Sequence, residues 1–335
     1  MSKEVIDQGV EASGTAASGM YTECSPSIDL FKRLDSQQLE KLYLPSNWSK
    51  RHGPTELLVR YFEFCQDATL RARCTFQHEL DIPYGPGEKT KYDIYGTNLP
   101  KEAPILLFIH GGYWQEFSKD LSGFAVLNFV THGIKVIIGG YDLCPAVTLT
   151  DIVQETKQLA QTILTLARSS GSKCVWIVGH SAGAHLAASL LHDRDWLRSM
   201  DKLGCRHFLK GLVLISGIYA LEPLLRVSVN NLLQLTSDEI KLFTFAPLYG
   251  TENNAAAAAA PAEPLQNLKV LVTVGECDSP IFVEESRRYA RHITMFVDNV
   301  EFLLIRDNTD HFDIVQNLIK TDFSLSEIII NYIKS

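Results

Sequence analysis

The sequence Gly179-His180-Ser181-Ala182-Gly183 follows the apolar run 174–178 and precedes a stretch with a helical pattern, residues 184–191. It is a G-x-S-x-G pentad. Glycines two positions before and after the serine let a buried strand turn sharply into a helix and leave the serine hydroxyl exposed at the corner. A serine between glycines also occurs in ordinary turns and at helix N-caps. Because a strand pattern precedes the pentad and a helix pattern follows it, we predict that Ser181 is a nucleophile.

The segments on either side of the pentad alternate between strand and helix patterns. Several of the strand segments are wholly apolar. Such runs are typical of strands buried on both faces of a parallel sheet, with helices covering each face. We therefore expect an α/β fold with a mostly parallel central sheet of about eight strands flanked by helices. Strands are predicted at 73–83, 90–95, 105–109, 135–138, 174–178, 209–216, 269–274 and 300–305, and helices from 36 and from 57, at 121–131, 150–168, 184–191 and 282–292, and from 312 and 325.

Parts of the chain outside this alternation define the domain organisation. Residues 1–30 lack hydrophobic periodicity and are expected to be a mobile N-terminal tail, which leaves 31–335 as one domain. The two helices that open this domain are expected to be peripheral. Residues 219–265 are mixed in pattern and include the alanine run 255–260. We expect this segment to be a small cap over the carboxyl ends of the strands, where ligands bind in such sheets.

Composition limits the classes of function. The chain has 335 residues, 46% of them hydrophobic and 21% charged, and a net charge of 31 − 39 = −8 without long runs of one sign. Nothing in this pattern calls for nucleic acid or a membrane surface, so the expected partner is a small molecule. Seven cysteines, none spaced as C-x-x-C, favour reduced thiols over disulfides or a zinc site. Patterns of a signal peptide and of a bilayer-spanning helix are also lacking, so we expect a cytoplasmic protein. We expect neither a metal nor a cofactor. A homodimer is compatible with the sequence.

Partners for the nucleophile are expected after the last two strands. A serine hydroxyl needs an imidazole to take its proton, and the imidazole needs a buried carboxylate to fix its tautomer. In sheet proteins with this pentad the chain order is serine, acid, histidine. His311 is the one of ten histidines that directly follows the final strand pattern. Asp278 follows the penultimate strand, and we favour it as the acid over Glu276 in the same loop.

A second glycine motif, His110-Gly111-Gly112-Tyr113-Trp114, directly follows the predicted strand 105–109. An oxyanion needs hydrogen-bond donors where negative charge develops, and two glycines let backbone amides approach closely. The N–H groups of Gly111 and Gly112 would join that of Ala182, the residue after the nucleophile. A plain Gly-Gly turn is the alternative. The position after this strand favours an oxyanion hole.

These motifs resemble the α/β-hydrolases of the hormone-sensitive-lipase-like group, whose members carry an H-G-G loop. The form His110-Gly111-Gly112-Tyr113-Trp114 is similar to the H-G-G-x-W signature of the kynurenine formamidase (arylformamidase) family. Gly140-Tyr141-Asp142-Leu143-Cys144-Pro145 resembles the Tyr-x-Leu-x-Pro turn of the group. The resemblance covers about residues 36–330, and residues 179–183, Asp278 and His311 match the triad positions.

The resemblance implies hydrolysis of N-formyl-L-kynurenine to L-kynurenine and formate in tryptophan degradation, through a formyl-enzyme. The leaving group of this reaction carries an aromatic ring, so aromatic walls are expected around it. The candidate contacts are Tyr113, Trp114, Tyr219 and Phe245, with core packing as the alternative for the last two. Two other functions stay open. A carboxylesterase acting on short-chain esters would use the same catalytic residues, and a non-catalytic ligand-binding member of the fold would not need them.

Overall fold

The computed structural model describes residues 33–246 and 264–335. Within them, eight strands form one sheet in the order β1-β2-β4-β3-β5-β6-β7-β8. Strand β2 runs antiparallel to both of its neighbours, and all other neighbouring pairs run parallel. The predicted mostly parallel sheet of about eight strands is confirmed. The strands are β1 (His78–Pro83), β2 (Lys91–Tyr95), β3 (Ile105–Ile109), β4 (Lys135–Gly139), β5 (Val175–His180), β6 (Leu209–Ile215), β7 (Leu265–Gly275) and β8 (Val297–Ile305).

Helices pack on both faces of this sheet, and short 3₁₀ turns connect several of them. In the described residues the α-helices are α1 (Ser36–Tyr43), α2 (Pro54–Thr75), α3 (Phe124–Leu127), α4 (Leu149–Ser170), α5 (Ala182–His192), α6 (Arg194–Lys202), α7 (Asn230–Leu233), α8 (Ser237–Phe243), α9 (Pro280–Ile293), α10 (Asp313–Gln316) and α11 (Ser324–Lys334). None of these helices combines the length and apolar character needed to cross a membrane.

Strand β3 shows why a wholly apolar run requires two helical layers. All five of its side chains are buried. Successive side chains of a strand point to opposite faces, so Ile105, Leu107 and Ile109 join one core with α4, α5 and α9. Leu106 and Phe108 join the other core with α2, α3 and α11. The helices on both faces follow from this burial.

The strand register brings the predicted site motifs to one edge of the sheet. Ile109 of β3 pairs with Gly179 of β5, and His180 of β5 pairs with Ile215 of β6. Strand β7 continues the parallel array, with its last residue, Gly275, opposite Ile305 of β8. The loops that follow β3, β5, β7 and β8 therefore leave the sheet at the same edge.

The structure corrects three local predictions. The predicted strand 73–83 starts only at His78, because α2 continues to Thr75. The predicted helix 121–131 is broken into α3 and two flanking 3₁₀ turns. Near its end the Thr131 hydroxyl donates to the carbonyl of Asn128, a local bond that competes with helix formation. Helix α6 was not predicted.

Two predicted segments lie wholly or partly outside the described residues. The tail 1–30 and the alanine run 255–260 belong to the undescribed part of the chain. Of the predicted cap, residues 219–246 form a 3₁₀ turn (Glu222–Arg226) and the short helices α7 and α8. The cap therefore stays a prediction.

Candidate active site

The Ser181 corner joins β5 directly to α5. Ser181 has φ 54° and ψ −119°, a left-handed conformation that side-chain-bearing residues rarely adopt. Its N–H donates to the Ile215 carbonyl at 2.8 Å, which fixes the corner to the neighbouring strand. Gly183 packs against β3 so closely that a Cβ there would lie 2.2 Å from the Ile109 oxygen. The pentad thus forms the strained strand-to-helix turn that the sequence predicts, and strain of this kind is common at functional sites.

The predicted acid and base are brought together by the loops after β7 and β8. The Nδ1 atom of His311 lies 2.8 Å from Oδ2 of Asp278, and both side chains are buried. An ionised carboxylate only accepts hydrogen bonds, so Nδ1 carries the proton and Nε2 is left to accept one. Ser181 and His311 line the same cavity, although no hydrogen bond joins their side chains in the described residues. Such catalytic hydrogen bonds are often long without substrate.

The competing carboxylates have other partners. Glu276 accepts a hydrogen bond from the Asn308 N–H at 2.7 Å and lies 3.7 Å from Arg306, so it faces away from His311. Asp310, next to His311 in the chain, receives two hydrogen bonds from Arg51, each of 2.9 Å. Although its burial opposes ionisation, hydrogen bonds from Arg51 and its neighbours lower the pKa of Asp310 to about 2. Only Asp278 among these acids is hydrogen-bonded to the His311 ring.

The H-G-G loop offers free backbone donors beside Ser181. Within the described ranges, the N–H groups of Gly111, Gly112 and Ala182 donate to no backbone or side-chain acceptor. Gly112 has φ +103° and its missing Cβ would lie 2.3 Å from the Glu116 oxygen, so this turn requires glycine. The Gln115 N–H closes the turn by donating to the Gly112 carbonyl at 2.9 Å. This geometry suits an oxyanion hole.

Residues from distant segments fix the shape of this loop. The Tyr141 ring stacks on His110 with centroids 4.2 Å apart, and its hydroxyl donates to the His110 carbonyl at 2.9 Å. The Trp114 carbonyl accepts the Cys144 N–H at 2.9 Å. The Tyr113 hydroxyl donates to the Tyr43 carbonyl at the end of α1. The stretch 140–145 thus supports the H-G-G loop, a role that its sequence did not reveal.

His110 and His180, both buried at the site, are neutral at physiological pH. Burial lowers the pKa of His110 to about 4, and the pKa of His180 falls well below its usual 6.5, first through burial and then through the neighbouring His311. Within the described parts of the chain, no group of His, Cys, Asp and Glu side chains is arranged to bind a metal ion.

Ser181, His311 and the H-G-G loop line one cavity of about 200 Å³. Its lining within the described residues is mostly aromatic or aliphatic and contains no lysine or arginine. Such a wall suits a flat apolar ring better than an anion. Besides residues of the triad and the H-G-G loop, the lining consists of Leu44, Pro45, Ser46, Leu58, Tyr61, Phe108, Gln115, Glu116, Phe117, Leu121, Ser122, Phe124, His180, Val229 and Phe312.

Of the four predicted ring contacts, only Tyr113 lines this cavity. Trp114 is fully buried beneath the loop, with its ring 5.0 Å from that of His185. Tyr219 stacks on Tyr289, and Phe245 stacks on histidines of α5. The structure therefore places Trp114, Tyr219 and Phe245 in the core, because the segments that carry them turn inward, and not at the wall of the cavity.

The walls of the cavity come from segments that the sequence placed at the periphery. Leu44 follows α1, Leu58 and Tyr61 belong to α2, and all three line the cavity. Tyr61 also packs edge-on against Phe312, next to His311, with centroids 5.0 Å apart. Helix α2 and the segment directly after α1 therefore form part of the site. Their apolar periodicity predicted burial without showing what they cover.

Trp114→Ala is expected to destabilise the protein by about 3–5 kcal/mol, because it removes a large, fully buried side chain. It should also lower kcat alike for N-formylkynurenine and a small formamide, since the indole supports the oxyanion loop from below. Denaturant unfolding and steady-state kinetics check both effects. Phe129→Ala is the matched control, because Phe129 is buried in the opposite core. That variant should lose stability without losing kcat, and a selective effect of Trp114→Ala on the larger substrate would contradict the supporting role.

Comparisons with known proteins agree with this geometry. A family model described as alpha/beta hydrolase fold matches residues 106–312. Kynurenine formamidase of Salmo salar is 31% identical over 307 residues, covering 90% of this chain and 97% of that protein. Kynurenine formamidase of Danio rerio is 30% identical over 304 residues, covering 90% and 98%. The crystal structure of a putative thioesterase from Silicibacter sp. TM1040 has a TM-score of 0.67 at 22% identity, covering 89% of this chain and 99% of that one.

Proposed function

The chain belongs to the kynurenine formamidase family of the α/β-hydrolase fold, and from this premise we propose that it hydrolyses N-formyl-L-kynurenine to L-kynurenine and formate. The observation that carries the proposal is a likeness to kynurenine formamidases over 90% of the chain. The mostly aromatic or aliphatic cavity beside Ser181 agrees with a leaving group that contains a ring.

The first half of the proposed reaction forms a formyl-enzyme. Ser181 Oγ attacks the formyl carbon while its proton moves to Nε2 of His311. Asp278 accepts the Nδ1–H bond and stabilises the imidazolium. The carbonyl oxygen becomes an oxyanion that the N–H groups of Gly111, Gly112 and Ala182 stabilise. When the C–N bond breaks, His311 returns its proton to the aniline nitrogen and L-kynurenine leaves.

The second half releases formate. A water molecule attacks the formyl ester carbon while His311 takes one of its protons. The same backbone donors stabilise the second oxyanion. The ester bond then breaks, the proton on His311 returns to Ser181 Oγ, and formic acid leaves and gives its proton to the solvent as it becomes formate. Each cycle consumes one water and restores the protonation state of the site.

A kinetic comparison of N-formylkynurenine with nitrophenyl acetate tests the proposed function. We expect a higher kcat/KM for N-formylkynurenine, although the ester is chemically more reactive. A clear preference for the acetate ester would instead favour a carboxylesterase, which would use the same catalytic residues.

The acyl side of the substrate gives a further prediction. On one aromatic leaving group, kcat/KM is expected to fall from formyl to acetyl to butyryl, by roughly 10-fold or more for each step that the packed site cannot fit. Initial rates with a matched series of anilides measure this dependence. The same series as phenyl esters controls for leaving-group chemistry. An enzyme that prefers butyryl over formyl would not be a formamidase.

We also propose a cytoplasmic location. The six cysteines within the described residues are all free thiols, which suits a reducing compartment. Fractionation of cells that express the full chain checks the location. The homodimer stays a prediction, which analytical ultracentrifugation can test by measuring the mass of the protein in solution.

A further inference from the structure

His180 lies between the nucleophile and the loop of His311, and the proposed mechanism gives it no role. Its Nε2 atom lies 2.9 Å from the backbone oxygen of His311. A carbonyl oxygen can only accept a hydrogen bond, so Nε2 carries the proton in the neutral ring. Nδ1 then keeps its lone pair and can accept a hydrogen bond.

The Nδ1 atom of His180 faces the cavity. Within residues 33–246 and 264–335 this atom makes no hydrogen bond, and it is not sealed from solvent. The residue itself lines the cavity. A Cβ placed on Gly111 would lie 3.3 Å from this Nδ1 and 3.0 Å from the Cβ of Ser181. The free lone pair is therefore close to both the nucleophile and the oxyanion loop.

We propose that His180 determines specificity by accepting a hydrogen bond from the N–H of the scissile amide at Nδ1, which favours amides over esters of the same acid. The inference rests on the proposed function and deepens it. An ester carries an oxygen without hydrogen at the same position, so it gains nothing from this acceptor and leaves it unpaired.

A hydrogen-bond acceptor at this position stabilises the tetrahedral intermediate of amide hydrolysis. After Ser181 attacks, the amide nitrogen becomes pyramidal, and its lone pair must face Nε2 of His311 to receive the proton. The N–H bond then points to another side of the nitrogen. An acceptor on that side stabilises the arrangement in which the C–N bond can break. The carbonyl of His311 accepts from the same His180 ring, which keeps this acceptor in fixed relation to the proton donor.

The test compares 4-acetylformanilide with 4-acetylphenyl formate. The two substrates share the formyl group and the ring and differ in N–H against O. Their ketone is para to the reacting group, whereas the ketone of N-formylkynurenine is ortho and can itself accept the N–H. The measured quantity is the ratio of kcat/KM for the amide to kcat/KM for the ester.

Two substitutions separate the functions of the two ring nitrogens. His180→Gln keeps an amide donor near the position of Nε2 and removes the acceptor at Nδ1, so the ratio is expected to fall about 10-fold. His180→Asn keeps an acceptor near the position of Nδ1 and loses the bond to His311, so both rates should fall while the ratio stays within about 2-fold. His192→Gln, at a half-buried histidine outside the cavity lining, should leave the ratio unchanged. A His180→Gln variant with an unchanged ratio overturns the inference, including the case in which both rates fall equally.

A measurement on the unaltered enzyme covers the case in which the variants do not fold. N-methyl-4-acetylformanilide has no N–H, and its kcat/KM, corrected for the rate of hydroxide hydrolysis, should be about 10-fold below that of 4-acetylformanilide. Equal corrected values would overturn the inference. An unaltered enzyme that does not hydrolyse N-formylkynurenine contradicts the proposed function instead, so the two failures are distinguishable.

Discussion

Ser181→Ala is expected to lower kcat on N-formylkynurenine by about 10⁴-fold or more while the protein stays folded. The substitution removes the oxygen that attacks the formyl carbon, and triad residues act as a unit, so loss of one removes most of the effect of all three. The remaining rate over water would come from the oxyanion donors and from substrate binding. Active-site titration with a fluorophosphonate probe, together with steady-state kinetics, measures the effect.

Ser189→Ala is the matched control for this variant. Ser189 lies on α5, the helix that begins directly after Ser181, and it is buried. Its hydroxyl donates to the Leu186 carbonyl within the same helix, away from the cavity. The control should keep probe labelling and kcat within about 2-fold, with a loss of stability of about 1 kcal/mol. A Ser181→Ala protein that kept more than about a tenth of kcat would assign the nucleophile to another residue.

Asp278→Asn is expected to reduce kcat on the order of 10⁴-fold, with little change in the shape of the loop. The amide can donate a hydrogen bond to the ring of His311, which favours the tautomer with its proton on Nε2. That tautomer cannot take the proton of Ser181. The pH dependence of kcat, compared with the unaltered enzyme, reports the change, and circular dichroism reports the fold.

Glu276→Gln separates the role of the acid from the stability of the loop. Glu276 lies two residues before Asp278, but it accepts from the Asn308 backbone and faces away from His311. The same chemical change should therefore cost less than about 10-fold in kcat, because it disturbs the loop after β8 only through a single hydrogen bond. If Glu276→Gln proved more damaging than Asp278→Asn, the acid would be Glu276.

The sequence predicted the features that depend on short spacing and on chain order. The glycines around Ser181 define one local turn, which can be recognised without knowledge of the rest of the chain. The apolar run 105–109 predicts a strand buried on both faces, and the structure has β3 at Ile105–Ile109. Chain order and its place in the loop after the penultimate strand favour Asp278 over Glu276 as the acid, and of these two only Asp278 is hydrogen-bonded to His311.

The direction in which a side chain points was not predictable where it could face either the core or the cavity. Trp114 lies two residues after the H-G-G motif, yet its ring turns inward against His185. Tyr61 lies 120 residues before Ser181 and still forms part of the cavity wall. Apolar periodicity shows that a residue is buried, but the neighbours that bury it belong to distant segments. Local pattern alone therefore could not distinguish core aromatics from cavity aromatics.

The sequence by itself determined the fold class, the strained corner of the nucleophile and the chain order of serine, acid and histidine, because each is encoded in residues close together or in the succession of elements. Only the tertiary structure decided which rings line the cavity, that Tyr141 supports the H-G-G loop, and that His180 has a lone pair open to the cavity. Those properties depend on how α1, α2 and the loops after β5 and β8 pack against one another. Packing of this kind is set by long-range contacts between side chains, which no single stretch of the sequence contains.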